Sequence, residues 1–239
     1  MGKKVVIVGG TSGIGLATAG RLIAAGATVV IAGRDKDRLN SALAELGAEA
    51  QGFVVDARDE QDLARMFAEI GPVDDIVVTV TGPAGTTPFR EVTRELLQSH
   101  VSGKLLPHIA VVQAALPHLA PGASVTLVSA ASAGGSMPGT AALAAVNAAV
   151  EATVPVLALE LAPVRVNAVS PGVIDTDWWN FLPGDARADV FAGIAAATPV
   201  GRVGSADDIA QAIEFLIGNS FTTGIVVRVD GGARLGSPQ

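Results

Sequence analysis

Seven residues near the amino terminus, Gly9-Gly10-Thr11-Ser12-Gly13-Ile14-Gly15, carry the clearest chemistry in this chain of 239 residues. They follow a β-branched run, Lys4–Val8, and lead into an Ala/Leu-rich segment of helical period. Glycines in such a turn let the backbone bend tightly and approach phosphate oxygens, while unpaired N–H groups at the helix start donate to them. Strand, turn and helix in this register form the setting in which a dinucleotide pyrophosphate is held. Gly9, Thr11, Ser12, Gly13, Ile14 and Gly15 are therefore candidate contacts, and a side chain at Gly13 or Gly15 is expected to block the phosphate.

Roughly twenty residues beyond such a turn, an NAD site places Asp or Glu at the end of the second strand to bond the ribose 2′-hydroxyl. Gly33 stands there, followed by Arg34. A guanidinium holds a 2′-phosphate through charge-assisted hydrogen bonds, so NADP(H) is preferred, with Lys36 and Arg38 as helpers. Two alternatives stay open. Arg34 is a solvated turn residue, or Asp35 accepts from the ribose, which keeps NAD(H) possible.

Titratable groups recur at His100, Lys104 and His108, a spacing of i, i+4 and i+8 that lines one stripe of a helix. Lys104 or a histidine could donate a proton or polarise a carbonyl; equally, the stripe faces a subunit interface or solvent, and Pro107 is expected to kink it. No carboxylate follows in the adjacent turn, and cysteine is absent, so no metal site is expected. Ser129 and Ser132 lack both a paired base and a G-x-S-x-G elbow, which argues against a hydrolase. Asp175, Asp177, Trp178, Trp179 and Phe181 cluster in a chain with few aromatics, as an apolar ligand cover or as packing on the protein's own core.

These groups need a scaffold, and the patterning supplies one. Short β-branched runs at Lys4–Val8, Thr28–Ala32, Gly52–Val55, Asp75–Thr79, Ser124–Val128, Val164–Val169 and Ile225–Val229 alternate with helical segments. The helices are predicted at Ile14–Ala25, Asp35–Leu46, Asp59–Ile70, Thr93 to about Leu119, Gly139–Leu161 and Ala206–Ile217. Such alternation predicts an α/β fold: a three-layer, Rossmann-type, doubly wound parallel sheet of seven strands in a single domain over residues 1–239. Residues 171–199 are too long for a simple connection and read as a lid.

The formal charge of −7 and pI near 4.9 argue against a nucleic-acid surface, which needs clustered Lys and Arg. Between Lys104 and Glu151 no residue is charged, yet Pro107, Pro117, Pro121, Gly122, Gly134 and Gly135 interrupt that stretch, so it reads as core and subunit interface rather than membrane span. The amino terminus lacks the apolar stretch and cleavage site of a signal peptide, and a cytoplasmic location is expected. Ala141, Ala142, Ala144, Ala145, Ala148 and Ala149 would let helices approach closely.

With these motifs in place, the chain resembles the short-chain dehydrogenase/reductase family from Lys3 to Leu235. Gly9, Gly13 and Gly15 match the family's TGxxxGIG turn, with Val8 in place of Thr; Asp56, with Ala57 beside it, matches the residue that contacts adenine. Gly82 ends a counterpart of NNAG, and Pro171-Gly172, with Ile174 and Thr176, reads like the PG motif that contacts the carboxamide and phosphate. The resemblance implies NAD(P)(H) binding, a small-molecule ligand and a homodimer or homotetramer. It also exposes a departure. Leu143 falls at the catalytic Tyr, Asn147 at the Lys, Ala130 at the Ser and Lys104 at the Asn, although His100 offers a competing alignment for the last. The family's acid is a phenol whose pKa a neighbouring ammonium lowers. No tyrosine occurs anywhere in the chain. A cofactor-sensing or scaffold role is expected, the alternative being an oxidoreductase that uses Lys104, His108 or water; Asn147 retains a possible bond to the nicotinamide ribose.

Overall fold

A computed structural model of the chain describes residues 2–235. Its central strands are β1 (Lys4–Val8), β2 (Thr28–Gly33), β3 (Ala50–Val54), β4 (Val73–Val78), β5 (Leu119–Val128), β6 (Arg165–Pro171) and, at the carboxy-terminal end, β9 (Val226–Val229). They form one parallel sheet in the order β3-β2-β1-β4-β5-β6-β9. This is the predicted seven-stranded architecture.

The residues of β1 explain why the sheet is covered on both faces. Val5 to Val8 are all buried, and successive side chains point oppositely. Val6 and Val8 join Val30, Phe67, Ile76, Val111 and Leu127 beneath α3 (Glu60–Ile70), α5 (Leu106–Ala115) and α6 (Ala141–Glu160). Val5 and Ile7 join Val29, Ile31, Ile209 and Ile213 beneath α1 (Gly13–Ala24), α2 (Lys36–Leu46) and α8 (Ala206–Gly218). From β1 the chain adds β2 and β3 on one side and then crosses to β4 on the other, so a crevice opens at this switch beyond the carboxyl ends of β1 and β4. Helix α6 is long and apolar enough to cross a membrane, but Val146, Val150 and Val154 bury one face of it in the core.

Three features depart from the sequence-based expectation. The helix predicted from Thr93 to Leu119 is divided: α4 (Arg94–His100), a π-turn over Val101–Leu105, then α5 and a 3-10 turn at Leu116–His118. Leu119 already belongs to β5, pairing with Val73. Pro107 lies in the first turn of α5, immediately after the π-turn, where its missing N–H costs little. Second, residues 171–199 contain a helix, α7 (Gly184–Ala197). Pro183, near the middle of the segment, is the cap residue at which α7 begins. Third, β7 (Ile174–Asp175) and β8 (Gly204–Ser205) form a separate pair that ties the two ends of this segment together.

Candidate cofactor and ligand site

The turn after β1 is built by its own backbone. Gly9 and Gly10 both donate to the Ala32 carbonyl, at 2.8 and 3.3 Å, and Gly9 takes a φ of 95° that side chains disfavour. At Gly15 an added Cβ would lie 2.3 Å from the Gly9 carbonyl oxygen, so this glycine serves the fold of the turn itself; the expected block to phosphate is not its first constraint. Gly13 is different. Its φ is 51°, and its Cβ would stand 3.3 Å from Thr176 Cγ2, filling the gap between the turn and the strand opposite. Ser12, the cap residue of α1, makes no side-chain capping bond, which leaves the first N–H groups of the helix to a ligand. The donors and the missing Cβ atoms together fit a pyrophosphate.

From this turn a cleft of about 690 Å³ extends beneath β4, β5 and β6, a size suited to a cofactor with a small ligand. Gly9, Ser12, Gly13, Ile14, Gly15, Gly82, Pro171, Gly172, Ile174 and Thr176 line it, as do Lys104, Ala130, Leu143 and Asn147. Thr11 lines an adjoining hollow with Asp37 and Arg38. Arg34, Asp56 and Ala57 lie outside the lining.

At the end of β2, a Cβ on Gly33 would come within 2.7 Å of Thr11 Cγ2, so the Thr11 side chain fills the space that a side chain at that position would need. Arg34, Lys36 and Arg38 are exposed, and none has an ion-pair partner among the described residues. Of the three, Arg38 reaches the cleft wall. Asp35, by contrast, is engaged: one carboxylate oxygen accepts from the N–H groups of Asp37 and Arg38, each at 3.0 Å, and caps α2. Those bonds, that of Arg38 first, hold its carboxyl below the usual value. Asp56 pairs with Arg58, whose Nε lies 2.9 Å away and lowers the Asp56 pKa.

The positions corresponding to a reductase centre converge in the cleft with altered chemistry. Leu143 presents a hydrocarbon there. Asn147, buried on α6, donates from Nδ2 to the Leu143 carbonyl at 2.9 Å and to Ser132 Oγ at 3.1 Å. The first bond fixes the amide's orientation, since reversal would oppose two oxygens. Asn147 Oδ1 is consequently a buried acceptor with no partner among the described residues.

His100 and Lys104, on either side of most of the π-turn, line the same cleft, and His108 does not. Lys104 Nζ donates to the Ser129 carbonyl at 3.1 Å; burial pushes its pKa down to about 8, against the opposing pull of Glu151. His108 is enclosed between the carbonyls of Lys104 and Val128, at 2.8 and 3.2 Å. Burial lowers its pKa to about 3, so it stays neutral and cannot deliver a proton near neutral pH. The expected histidine–lysine stripe thus divides into two groups that face the cleft and one that faces the core.

Glu151 was not singled out among the candidate site residues. Its Oε1 accepts from Ser129 Oγ and Ser170 Oγ, both at 2.7 Å, beside the Lys104 floor. The signal was present: one carboxylate, a turn beyond Asn147, ending a long uncharged stretch.

Over the cleft, Trp178 and Trp179 meet edge to face at 4.9 Å, with Phe181 and Phe191 against them. Trp179 Nε1 donates to the Ile174 carbonyl at 3.1 Å. Arg187 of α7 donates to Thr176 O at 3.1 Å and to Asn180 Oδ1 at 2.9 Å, pairs with Asp175 and stacks over Phe191. The aromatic group therefore does both things considered for it: it packs on itself and lines the cleft.

The family model described as enoyl-(acyl carrier protein) reductase matches residues 8–234. A short-chain dehydrogenase/reductase of Stachybotrys chlorohalonatus is 32% identical, covering 98% of both chains. A small-chain dehydrogenase solved in complex with NADPH is 35% identical with a TM-score of 0.87, covering 99% of this chain and 100% of its own. A short-chain oxidoreductase of Pseudomonas aeruginosa, described as containing an atypical catalytic centre, is 30% identical with a TM-score of 0.87 and covers 96% of each chain.

Proposed function

The chain belongs to the short-chain dehydrogenase/reductase family of oxidoreductases, and from that premise we propose that it binds NADP(H) but does not reduce carbonyls by the family's phenol-based route. The observation that carries this reading is Leu143, a hydrocarbon lining the cleft at the position that corresponds to the catalytic tyrosine, in a chain without tyrosine. Gly9, Ser12 and Gly13 would hold the pyrophosphate, Arg34 and Arg38 the 2′-phosphate, and Asn147 Oδ1 a ribose hydroxyl. Bound NADPH supplies a hydride; no side chain in the position of the lost phenol delivers the accompanying proton. The NADPH complex of the 35% identical relative supports the choice of cofactor. The atypical centre named for the Pseudomonas aeruginosa relative supports a departure from ordinary chemistry. On this reading the protein is a cofactor sensor or scaffold, and Val156 and Leu159, exposed on α6, support self-association through that helix.

One observation favours a second reading. Lys104 lies on the cleft floor with a pKa near 8, within the range of a working proton donor. The test begins with NADPH and NADH titrations followed by fluorescence and thermal shift. NADPH at a hundred times its Kd should add about 2.7 kcal/mol of stability. Nicotinamide oxidation is then followed with a panel of ketones, aldehydes and enones, for the parent and for Lys104→Ala. No turnover is expected. Substrate-dependent oxidation abolished by Lys104→Ala would replace the first reading with the second, and failure to bind either nucleotide would refute both.

A further inference from the structure

The ligand end of the cleft combines an apolar wall with a buried ammonium beneath it. Leu143, Val146, Trp178, Trp179 and Ile194 make the wall. Lys104 lies beneath them, with 8% of its surface exposed. An ammonium has three donors, and one of those on Lys104 is taken, by the Ser129 carbonyl. Its nearest acid does not close the pair. The Glu151 carboxylate accepts from two serine hydroxyls and makes no hydrogen bond or ion pair with Lys104 among the described residues. A buried cation with free donors is costly until an anion meets it.

We propose that this end of the cleft takes an apolar molecule bearing a carboxylate, which docks on the Lys104 ammonium. The proposal rests on the reading that the rest of the cleft holds NADP(H), since the cofactor would wall off the other end. Leu143 leaves that wall without a hydroxyl donor, and of the acceptors that could meet the Lys104 ammonium below it a carboxylate is the one that also neutralises its charge. The groups facing Lys104 are His100 from α4, His108 from α5 and Glu151 from α6, with the uncharged Ser129 carbonyl from β5. Both histidines have lowered pKa values and are neutral above pH 7, so Lys104 is the group of this set whose charge changes between pH 7 and 9.5.

The experiment is calorimetric titration of the full chain, with and without saturating NADPH, using trans-cinnamate against trans-cinnamamide and octanoate against octanamide. Each pair differs in charge and little in shape. At pH 7 the acid of at least one pair should bind roughly tenfold more tightly than its amide. The advantage should shrink by about tenfold at pH 9.5, where Lys104 has lost its proton, and the amide's affinity should not change. Lys104→Met should bind acid and amide alike. Equal binding of acid and amide in both pairs, or an acid affinity flat from pH 7 to 9.5 in the parent protein, overturns the proposal without depending on any variant. NADPH fluorescence, read in the same samples, registers failure of the cofactor reading separately from failure at Lys104.

Discussion

Two glycines of the same helix should respond oppositely to the same change. In α1, a Cβ on Gly15 would lie 2.3 Å from the Gly9 carbonyl oxygen, 2.8 Å from Thr79 Oγ1 and 2.9 Å from Gly10 Cα. Two of those atoms are backbone, so the turn must move. Overpacking of this kind costs about 1–3 kcal/mol, of which the better helix propensity of alanine returns about 0.5–1. Gly15→Ala should therefore lose a net of roughly 1–2 kcal/mol, which lowers the melting temperature by about 2–8 °C for a chain of this size. Because the displaced atoms belong to the turn that sets the position of Ser12 and Gly13 at the helix start, NADPH affinity should fall roughly tenfold as well. Gly20 is the control. Its Cβ would meet one atom, Leu46 Cδ2, at an ordinary 3.9 Å. Gly20→Ala should stabilise by about 0.5–1 kcal/mol and leave NADPH binding untouched. Thermal and urea unfolding, each with and without NADPH, measure both effects. A Gly15→Ala protein as stable as the parent, with unchanged NADPH affinity, would refute the reasoning that the turn folds against its own helix.

Further outcomes follow from the same geometry. Arg34→Ala with Arg38→Ala should weaken NADPH roughly tenfold and leave NADH unchanged; equal loss for both nucleotides would refute a 2′-phosphate role. Lys104→Met should melt higher than the parent at pH 7. Burial lowers the folded-state pKa from 10.5 to about 8, so the folded chain binds fewer protons between those values; the penalty is full below pH 8 and lifts as pH rises towards 10.5. The advantage of the variant should accordingly shrink at pH 10, and a constant difference would show that the ammonium is not buried as described. Ser205 and Asp208 exchange reciprocal bonds at the start of α8, while Arg202 clasps Asp208 and, with those bonds, holds its pKa well below the usual value. Ser205→Ala should cost about 1 kcal/mol in urea unfolding.

Much of the scaffold was legible because it is written locally. The runs Val5–Val8 and Val29–Ala32 could only be strands buried on both faces, and Asp35, Asp59 and Ser205 stand where helices begin. The phosphate turn was legible as glycines in register, though the reason for Gly15 was not, since it depends on how closely the helix returns over Gly9. What escaped the sequence depended on packing partners. Helix α7 escaped the reading of residues 171–199 because its apolar residues form no clear stripe and its interior buries none of them, so only the fold shows that Pro183 begins a helix. Spacing alone could not separate His100 and Lys104 from His108, because each i+4 step drifts about 40° around a helix and which of the three meets the cleft depends on what packs around them. Glu151 was overlooked for a related reason: its partners, Ser129 and Ser170, sit on two other strands and come together only in the folded sheet.

The π-turn over Val101–Leu105 takes up one extra residue in an otherwise regular screw. An α-helix advances each side chain by roughly 100°, and a π-turn absorbs one residue in excess by widening locally, so the helix before and after it keeps its course. Remove one residue between 101 and 105 and the stretch can close to a regular α-helix with α4 and α5 in place, so what changes is which side chains of the turn, Lys104 among them, meet the cleft. The chemistry of this floor is therefore set as much by a count of residues as by their identity, and length variation in that one turn is a route by which related chains could exchange the groups presented to a ligand without touching the sheet.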